Sequence, residues 1–434
     1  MNDDPAQIAP ATTRLGQLQR GRGAGFEAAL RAGADAHDDL IRCIVDDPRV
    51  DRQLEERGRY YGELVLALDA PLAPIAQHLT GDQDERLGHE VLAAAWRLGH
   101  PEACSLLLSP KTDEALVAGI AGCLWATRWA TRVELPPRAA AVWLRLELQN
   151  ADSAQAAVRH RPATALANLT LPELLDLARD SRFGRRDRLL GELCARGDEA
   201  TRTHLLEVAS HDVVYERVRL ASRALGLLGD ERLLDLAEDH FARDDVFADP
   251  QRRLPGLERM RRSCLADYVQ HLPARRALEL ARAYHSRGGY FETVAGVVFQ
   301  EHATAADRSM LEAFVAERGG GGSGWDVICE LDALGRLADP RSAPLLFEVA
   351  QEAAYSHARR RALHALAAMP QLDLAQQALR EALWDCEDEA AADACAFVTT
   401  FDDASRERLV SLGNSPLADE ELVARARQRM QRRG

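Results

Sequence analysis

Residues 186–212 read RDRLLGELCARGDEATRTHLLEVASHD, and residues 217–245 read RVRLASRALGLLGDERLLDLAEDHFARDD. Each is a helix, a tight turn and a second helix. Their turns, Gly197-Asp198-Glu199 and Gly229-Asp230-Glu231, stand ~32 residues apart. Gly ends the first helix in a left-handed conformation and Asp caps the second. Apolar residues recur three and four apart on both helices, as in Leu220, Ala224, Leu225 and Leu228, then Leu233, Leu234 and Leu236. Each hairpin therefore carries apolar faces that it cannot bury alone, and stacking on neighbours buries them.

The same hinge recurs outward from this pair, as Leu68-Asp69-Ala70-Pro71, Gly99-His100-Pro101-Glu102, Ala338-Asp339-Pro340-Arg341, Met369-Pro370 and Phe401-Asp402-Asp403. Weaker hinges near Arg132, Thr170, His271-Pro273 and His302 fill most of the gaps. The spacing predicts roughly ten helical hairpins in an all-α solenoid superhelix. Composition agrees, because aromatic residues are only 5% while Ala, Leu and Arg abound, and unbranched side chains favour helix over strand.

With 434 residues, the chain exceeds the size at which one compact core stops growing, which also favours an elongated array. Hydrophobic residues at 47% and charged residues at 28% exclude global disorder. A formal net charge of −14 argues against nucleic acid or an anionic membrane as the default partner. The first dozen residues lack the pattern of a secretory signal, and no stretch approaches a transmembrane length. The eight cysteines form no C-x-x-C pair and sit in apolar helical patterns, which reads as reduced core thiols and a cytoplasmic protein.

The segment Ala221-Ser222-Arg223-Ala224-Leu225-Gly226-Leu227-Leu228-Gly229-Asp230-Glu231-Arg232 resembles the repeat of the HEAT superfamily, in particular the short bacterial type also seen in phycobilin lyases, whose units read like A-x-x-A-L-G-x-L-G-D-x-R. The resemblance spans most of residues 50–425. It implies architecture more than activity. The expected division is a disordered N-terminal segment over 1–20, an array over 21–318 with an irregular unit near 243–256, a Gly-rich linker or loop over 319–324, further repeats over 325–425 and a frayed basic tail over 426–434. The linker is of a composition that also replaces removed loops in engineered chains.

Candidate chemistry is sparse. His89-Glu90 is similar to the iron-binding dipeptide of deoxyhypusine hydroxylase, a HEAT-repeat enzyme. Glu301-His302 is reversed and His211-Asp212 lies at a helix end, so no paired metal site assembles and no metal or cofactor is expected. Trp125 and Trp129, four apart with Arg128 and Arg132, form a patch able to stack on a base or flat ligand, as the grooves of HEAT-like DNA glycosylases do. An ordinary amphipathic core explains that spacing equally simply, and the net charge disfavours DNA. The runs Arg185-Arg186-Asp187-Arg188, Arg252-Arg253 with Arg259, Arg261 and Arg262, and Arg359-Arg360-Arg361 read as solvated helical faces. No phosphate loop or nucleophile motif occurs, so catalysis has no visible anchor.

The polar positions of the second helices include Glu207, His211, Glu238, Asp239, His240, Glu348, Gln351 and Glu352. If second helices line one surface, these form an acidic strip suited to a basic peptide or protein segment. The expected function is a non-catalytic interaction scaffold or adaptor. The phycobilin-lyase resemblance implies the alternative of a lyase or chaperone-like subunit presenting a substrate protein.

Overall fold

The computed structural model describes residues 8–52, 54–79, 86–109, 116, 117, 120, 166–179, 186–243, 256–319 and 324–432. The protein is all-helical, with no strand among the described residues. None of their helices is long and apolar enough to cross a membrane. The chain divides into two compact units, one built from Met1–Gln155 together with Ser309–Gly434, the other from Ala156–Arg308.

In chain order the first unit begins with α1 (Arg14–Arg20), α2 (Gly23–Ala32), α3 (His37–Val45), α4 (Gly58–Leu68), α5 (Ala73–His78), α6 (Arg86–Arg97) and α7 (Pro101–Leu108). The second unit holds α8 (Leu171–Leu177), α9 (Arg186–Arg196), α10 (Glu199–His211), α11 (Tyr215–Leu227), α12 (Leu234–Phe241), α13 (Gly256–Gln270), α14 (Ala274–His285) and α15 (Tyr290–His302). The first unit then resumes with α16 (Arg308–Arg318), α17 (Ile328–Leu337), α18 (Ala343–Glu352), α19 (Ser356–Ala367), α20 (Asp373–Ala382), α21 (Asp388–Phe397), α22 (Asp403–Asn414) and α23 (Glu420–Gln431). Every hinge named from the sequence that lies in the described residues falls at a helix boundary.

In the second unit the first helices of successive hairpins, α9, α11, α13 and α15, pack side by side, and α10, α12 and α14 each pack on the first helix that follows. Leu225, Ala221 and Ala224 are fully buried at the α11 seam. Gly226 lets α11 approach α13 closely, since a Cβ there would lie 2.5 Å from the Tyr268 carbonyl oxygen. The Tyr268 hydroxyl donates to the Asp230 carbonyl at 2.7 Å, tying α13 to the preceding turn. Gly229 takes φ +65°, the left-handed turn expected of it.

One local device repeats in both units. In Asp230-Glu231-Arg232 the Asp carboxylate accepts from the Arg232 backbone N–H at 3.2 Å and from its Nε at 2.9 Å. Asp339-Pro340-Arg341 makes the same two bonds at 3.0 and 2.9 Å, and Asp47-Pro48-Arg49 makes them at 3.2 and 2.9 Å. At Asp230 and Asp339 the Asp thus satisfies an orphan N–H at the start of a 3-10 turn, and at all three places it fixes its own counterion. This gives the Asp-x-Arg end of the repeat a physical reason.

In the first unit α17, α19, α21 and α23 form one row, with α18, α20 and α22 packed behind them, while α2, α4 and α6 form a second row backed by α1, α3 and α5. Helix α2 also packs on α20, so helices from both ends of the chain share one unit. This differs from the linear division drawn from the sequence.

Three expectations change. Residues 14–20, expected to be disordered, form a helix capped by the Thr13 hydroxyl, because Leu18 and Arg20 are buried. Residues 426–431, expected to fray, continue α23, since Arg427 Nε donates to the Gly413 carbonyl at 2.7 Å and Arg429 to that of Val398. Arg359, expected on a solvated face, is fully buried. Of the Gly-rich stretch, residues 320–323 lie outside the described residues, as does most of the irregular unit near 243–256.

Candidate functional site

Helices α10 and α12 present the acidic positions of the second unit. Glu207 on α10 is exposed, and the ion-pair partner given for it is His204 Nδ1 at 4.0 Å. His211 ends the same helix, exposed, with Nδ1 3.3 Å from the Glu207 carbonyl. On α12 Asp235 and Asp239 are both exposed and, standing four apart, share one face. Neither holds an ion pair or side-chain hydrogen bond among the described residues. Glu238 is engaged, accepting from the Tyr284 hydroxyl at 3.0 Å and from Arg287 at 3.2 Å. His240 is buried with Nδ1 3.0 Å from Glu258 Oε1, and burial holds its pKa below the usual histidine value. The five positions named on these helices therefore separate: Glu207, His211 and Asp239 face solvent, with Asp235 an addition that the sequence reading passed over, while Glu238 and His240 serve the fold.

In the first unit Glu348 on α18 is exposed. Of its neighbours, Gln351 is engaged within the chain, Arg22 donating to its side chain and, at 3.0 Å, to its carbonyl, while at Glu352 Arg20 Nε donates to the backbone carbonyl at 3.0 Å. Trp125, Arg128, Trp129 and Arg132 lie outside the described residues. Glu90, of the His89-Glu90 pair, is held by Arg49 at 3.1 Å and Arg86 at 2.8 Å. No group of three or more metal-ligating side chains is placed to hold an ion among the described residues. Several members of the arginine runs are engaged within the chain: Arg261 donates to the Asp212 carbonyl at 2.9 Å, Arg262 to the His240 carbonyl at 3.2 Å, and Arg361 to Asp332 at 3.2 Å, while Arg188 and Arg259 are exposed.

A larger constellation was not singled out from the sequence. In the first unit, arginines from α4 and its lead-in meet acids from the turn before α21. Arg59 Nε donates to Asp388 at 2.7 Å and its Nη2 to the Asp385 carbonyl at 2.9 Å. Arg57, fully buried, donates to Glu55 at 3.1 Å and lies 3.7 Å from Glu387. Arg359 donates to Asp385 at 3.0 Å, and Arg408 answers in the other direction, donating to Glu63 at 2.7 Å. Arg22 donates to Glu381 at 2.9 Å. Cys386 sits among these groups, and burial pushes its thiol well up. Burial alone would raise Glu63, but Arg408 and Arg59 hold its carboxyl below the usual value.

The second unit also has a small cleft of about 40 Å³ between α9 and α11, with Leu190, Tyr215 and Leu220 in its walls and Arg219 and Arg223 beside them. Both arginines lean on Asp267, at 2.6 and 3.2 Å. Comparison with protein-family models and with curated proteins gives no match to this chain.

Proposed function

We propose that the protein is a non-catalytic interaction scaffold, an α-solenoid of roughly ten HEAT-like hairpins that holds a basic segment of a partner protein on its second helices. Support for the architecture comes from the rows of first helices and from the Asp-x-Arg device repeated at Asp47, Asp230 and Asp339. The observation that carries the partner reading is the exposed carboxylate set of α10 and α12. Most arginines nearby are tied to an acid or carbonyl of the chain itself, whereas Asp235 and Asp239 are exposed and carry no such bond among the described residues. Carboxylates that do nothing for the fold are available for a cationic side chain arriving from outside.

The test uses the full chain with an arginine-rich peptide and its glutamate-substituted counterpart as probes. Each exposed ion pair contributes roughly 0.2–1 kcal/mol, so Glu207→Gln with Asp235→Asn and Asp239→Asn together should weaken arginine-peptide binding by about three- to 150-fold at moderate salt. The glutamate peptide should bind neither form. Equal binding by the triple variant refutes the reading.

A further inference from the structure

Four rings meet where α12, α14 and α15 of the second unit pack. Tyr284 and Phe291 stand edge to face with centroids 5.1 Å apart, and Phe241 lies 6.2 and 5.7 Å from them. Tyr290 completes the group, 5.5 Å from Phe241. Two arginines lie over these rings, and they differ in kind. Arg262, 4.7 Å from the Tyr290 centroid, is buried and donates to the His240 and Arg243 carbonyls, so the fold uses it. Arg287 stands 3.5 Å from the Phe291 centroid and 5.8 Å from that of Tyr284, yet its side chain is 41% exposed.

Glu238 supplies the carboxylate beside these rings. One oxygen accepts from the Tyr284 hydroxyl at 3.0 Å, which ties Glu238 to the fold and sets the direction of its carboxylate. The other oxygen accepts from Arg287 at 3.2 Å. A ring face and an oriented carboxylate meet the two needs of a guanidinium, whose flat side stacks while its N–H edge binds oxygen. Arg287 shows that the place takes this group. It stands in the turn between α14 and α15, where a Cβ at Gly288 or Gly289 would meet nothing within 4 Å, so the turn is not packed against other elements there.

We propose that this is an arginine site kept closed by the chain's own Arg287. An arginine of the partner takes the position over Phe291 and on Glu238 as Arg287 swings into solvent. The inference rests on the reading of the second helices as the partner-facing surface, and it names one contact point on that surface. Glu238 follows Asp235 by three residues on α12, the spacing of helical neighbours, so a basic segment that reaches the site also reaches an exposed carboxylate. Exchange replaces one guanidinium by another and leaves the contacts at the site the same in kind. Net attraction therefore comes from the further cations that the segment sets on Asp235 and Asp239. Arg287 acts as an internal competitor, lowering the apparent affinity by the fraction of time it fills the site.

Titration calorimetry of the full chain with the arginine-rich peptide tests this. Arg287→Gln opens the site and should tighten binding by about three- to thirtyfold, the factor by which an exposed ion pair and an exposed cation–π contact together favour the closed arrangement. Arg276→Gln removes the same charge from an exposed arginine of α14 that pairs with Glu231 at 3.0 Å, and it should leave the affinity within about twofold. Adding Glu238→Gln to Arg287→Gln should cancel the gain. Binding by Arg287→Gln no tighter than by the unaltered chain overturns the proposal, as does an equal gain in Arg276→Gln. The two readings fail separately. Full binding by the triple variant of Glu207, Asp235 and Asp239 refutes the acidic strip and leaves the Arg287 comparison standing, whereas loss of binding in the triple variant without a gain in Arg287→Gln refutes this site alone.

Discussion

Replacing Arg59 by Met tests whether the two ends of the chain are closed by buried charge. Met keeps the apolar stem and deletes the guanidinium. Three contacts go with it: Asp388 at 2.7 Å, the Asp385 carbonyl at 2.9 Å and Glu63 at 3.4 Å. Glu63 retains Arg408 at 2.7 Å, so its charge stays compensated. Asp388 retains only the Asp419 backbone N–H at 2.7 Å for its other oxygen, and it is left as a buried carboxylate without a cation. Stranding one member of a buried pair costs about 3–5 kcal/mol, and the surviving N–H bond places this case near about 3. With two units present, a single unfolding transition is not assumed, and the measurement is denaturant-dependent hydrogen exchange of α4 and α21 peptides in the full chain. Adding Asp388→Asn to Arg59→Met should recover part of the loss, because it removes the stranded charge. A loss under about 1 kcal/mol, the value of an exposed pair, with no recovery in the double variant, would refute the buried-seam account.

Two further outcomes follow from the packing. Gly226→Ala should destabilise the second unit by about 1–3 kcal/mol, as overpacking does, because its Cβ would lie 2.5 Å from the Tyr268 carbonyl oxygen; thermal or urea denaturation of the full chain that leaves the second unit unchanged would show that α11 and α13 sit farther apart. Burial pushes the thiols of Cys43, Cys264, Cys329 and Cys395 up to about 12, so alkylation by iodoacetamide at pH about 8 should be negligible in the native protein and complete in urea, read by peptide mass spectrometry.

The hairpin hinges were legible because turn chemistry is local: a left-handed residue and a capping Asp announce a helix boundary within a few positions. The joining of the two chain ends was not, since nothing near Arg22 or Arg59 in sequence points to Glu381 or Asp388. Yet part of that signal was present. Arg359 stands three and four residues before the buried Ala362 and Leu363, and Arg57 stands in the same relation to the buried Tyr60 and Tyr61. Arg359 thus occupies the apolar face of its helix and Arg57 caps α4 on that face, as Arg408 does four residues before Leu412. Reading Arg359-Arg360-Arg361 by composition placed it on a wet face; reading it by helical phase assigns the first member to the core. The acidic candidates divided by the same logic, for burial, not charge, separates His240 from Asp239 on one helix.

The choice of arginine at the seam shapes how it responds to solution conditions. A buried lysine or histidine can shed its proton and so soften a mismatch in charge, but a guanidinium cannot. Every adjustment in the network therefore falls on the acids. Those with a dedicated cation, such as Glu63 between Arg408 and Arg59, are held ionised, and protonating them in strong acid removes stability. Stability of the seam should thus fall as strong acid protonates Glu63, whose carboxyl Arg408 and Arg59 hold below the usual value. A seam closed by apolar side chains would show no such slope, which makes the loss of stability in acid the distinguishing property of joining chain ends through paired arginines.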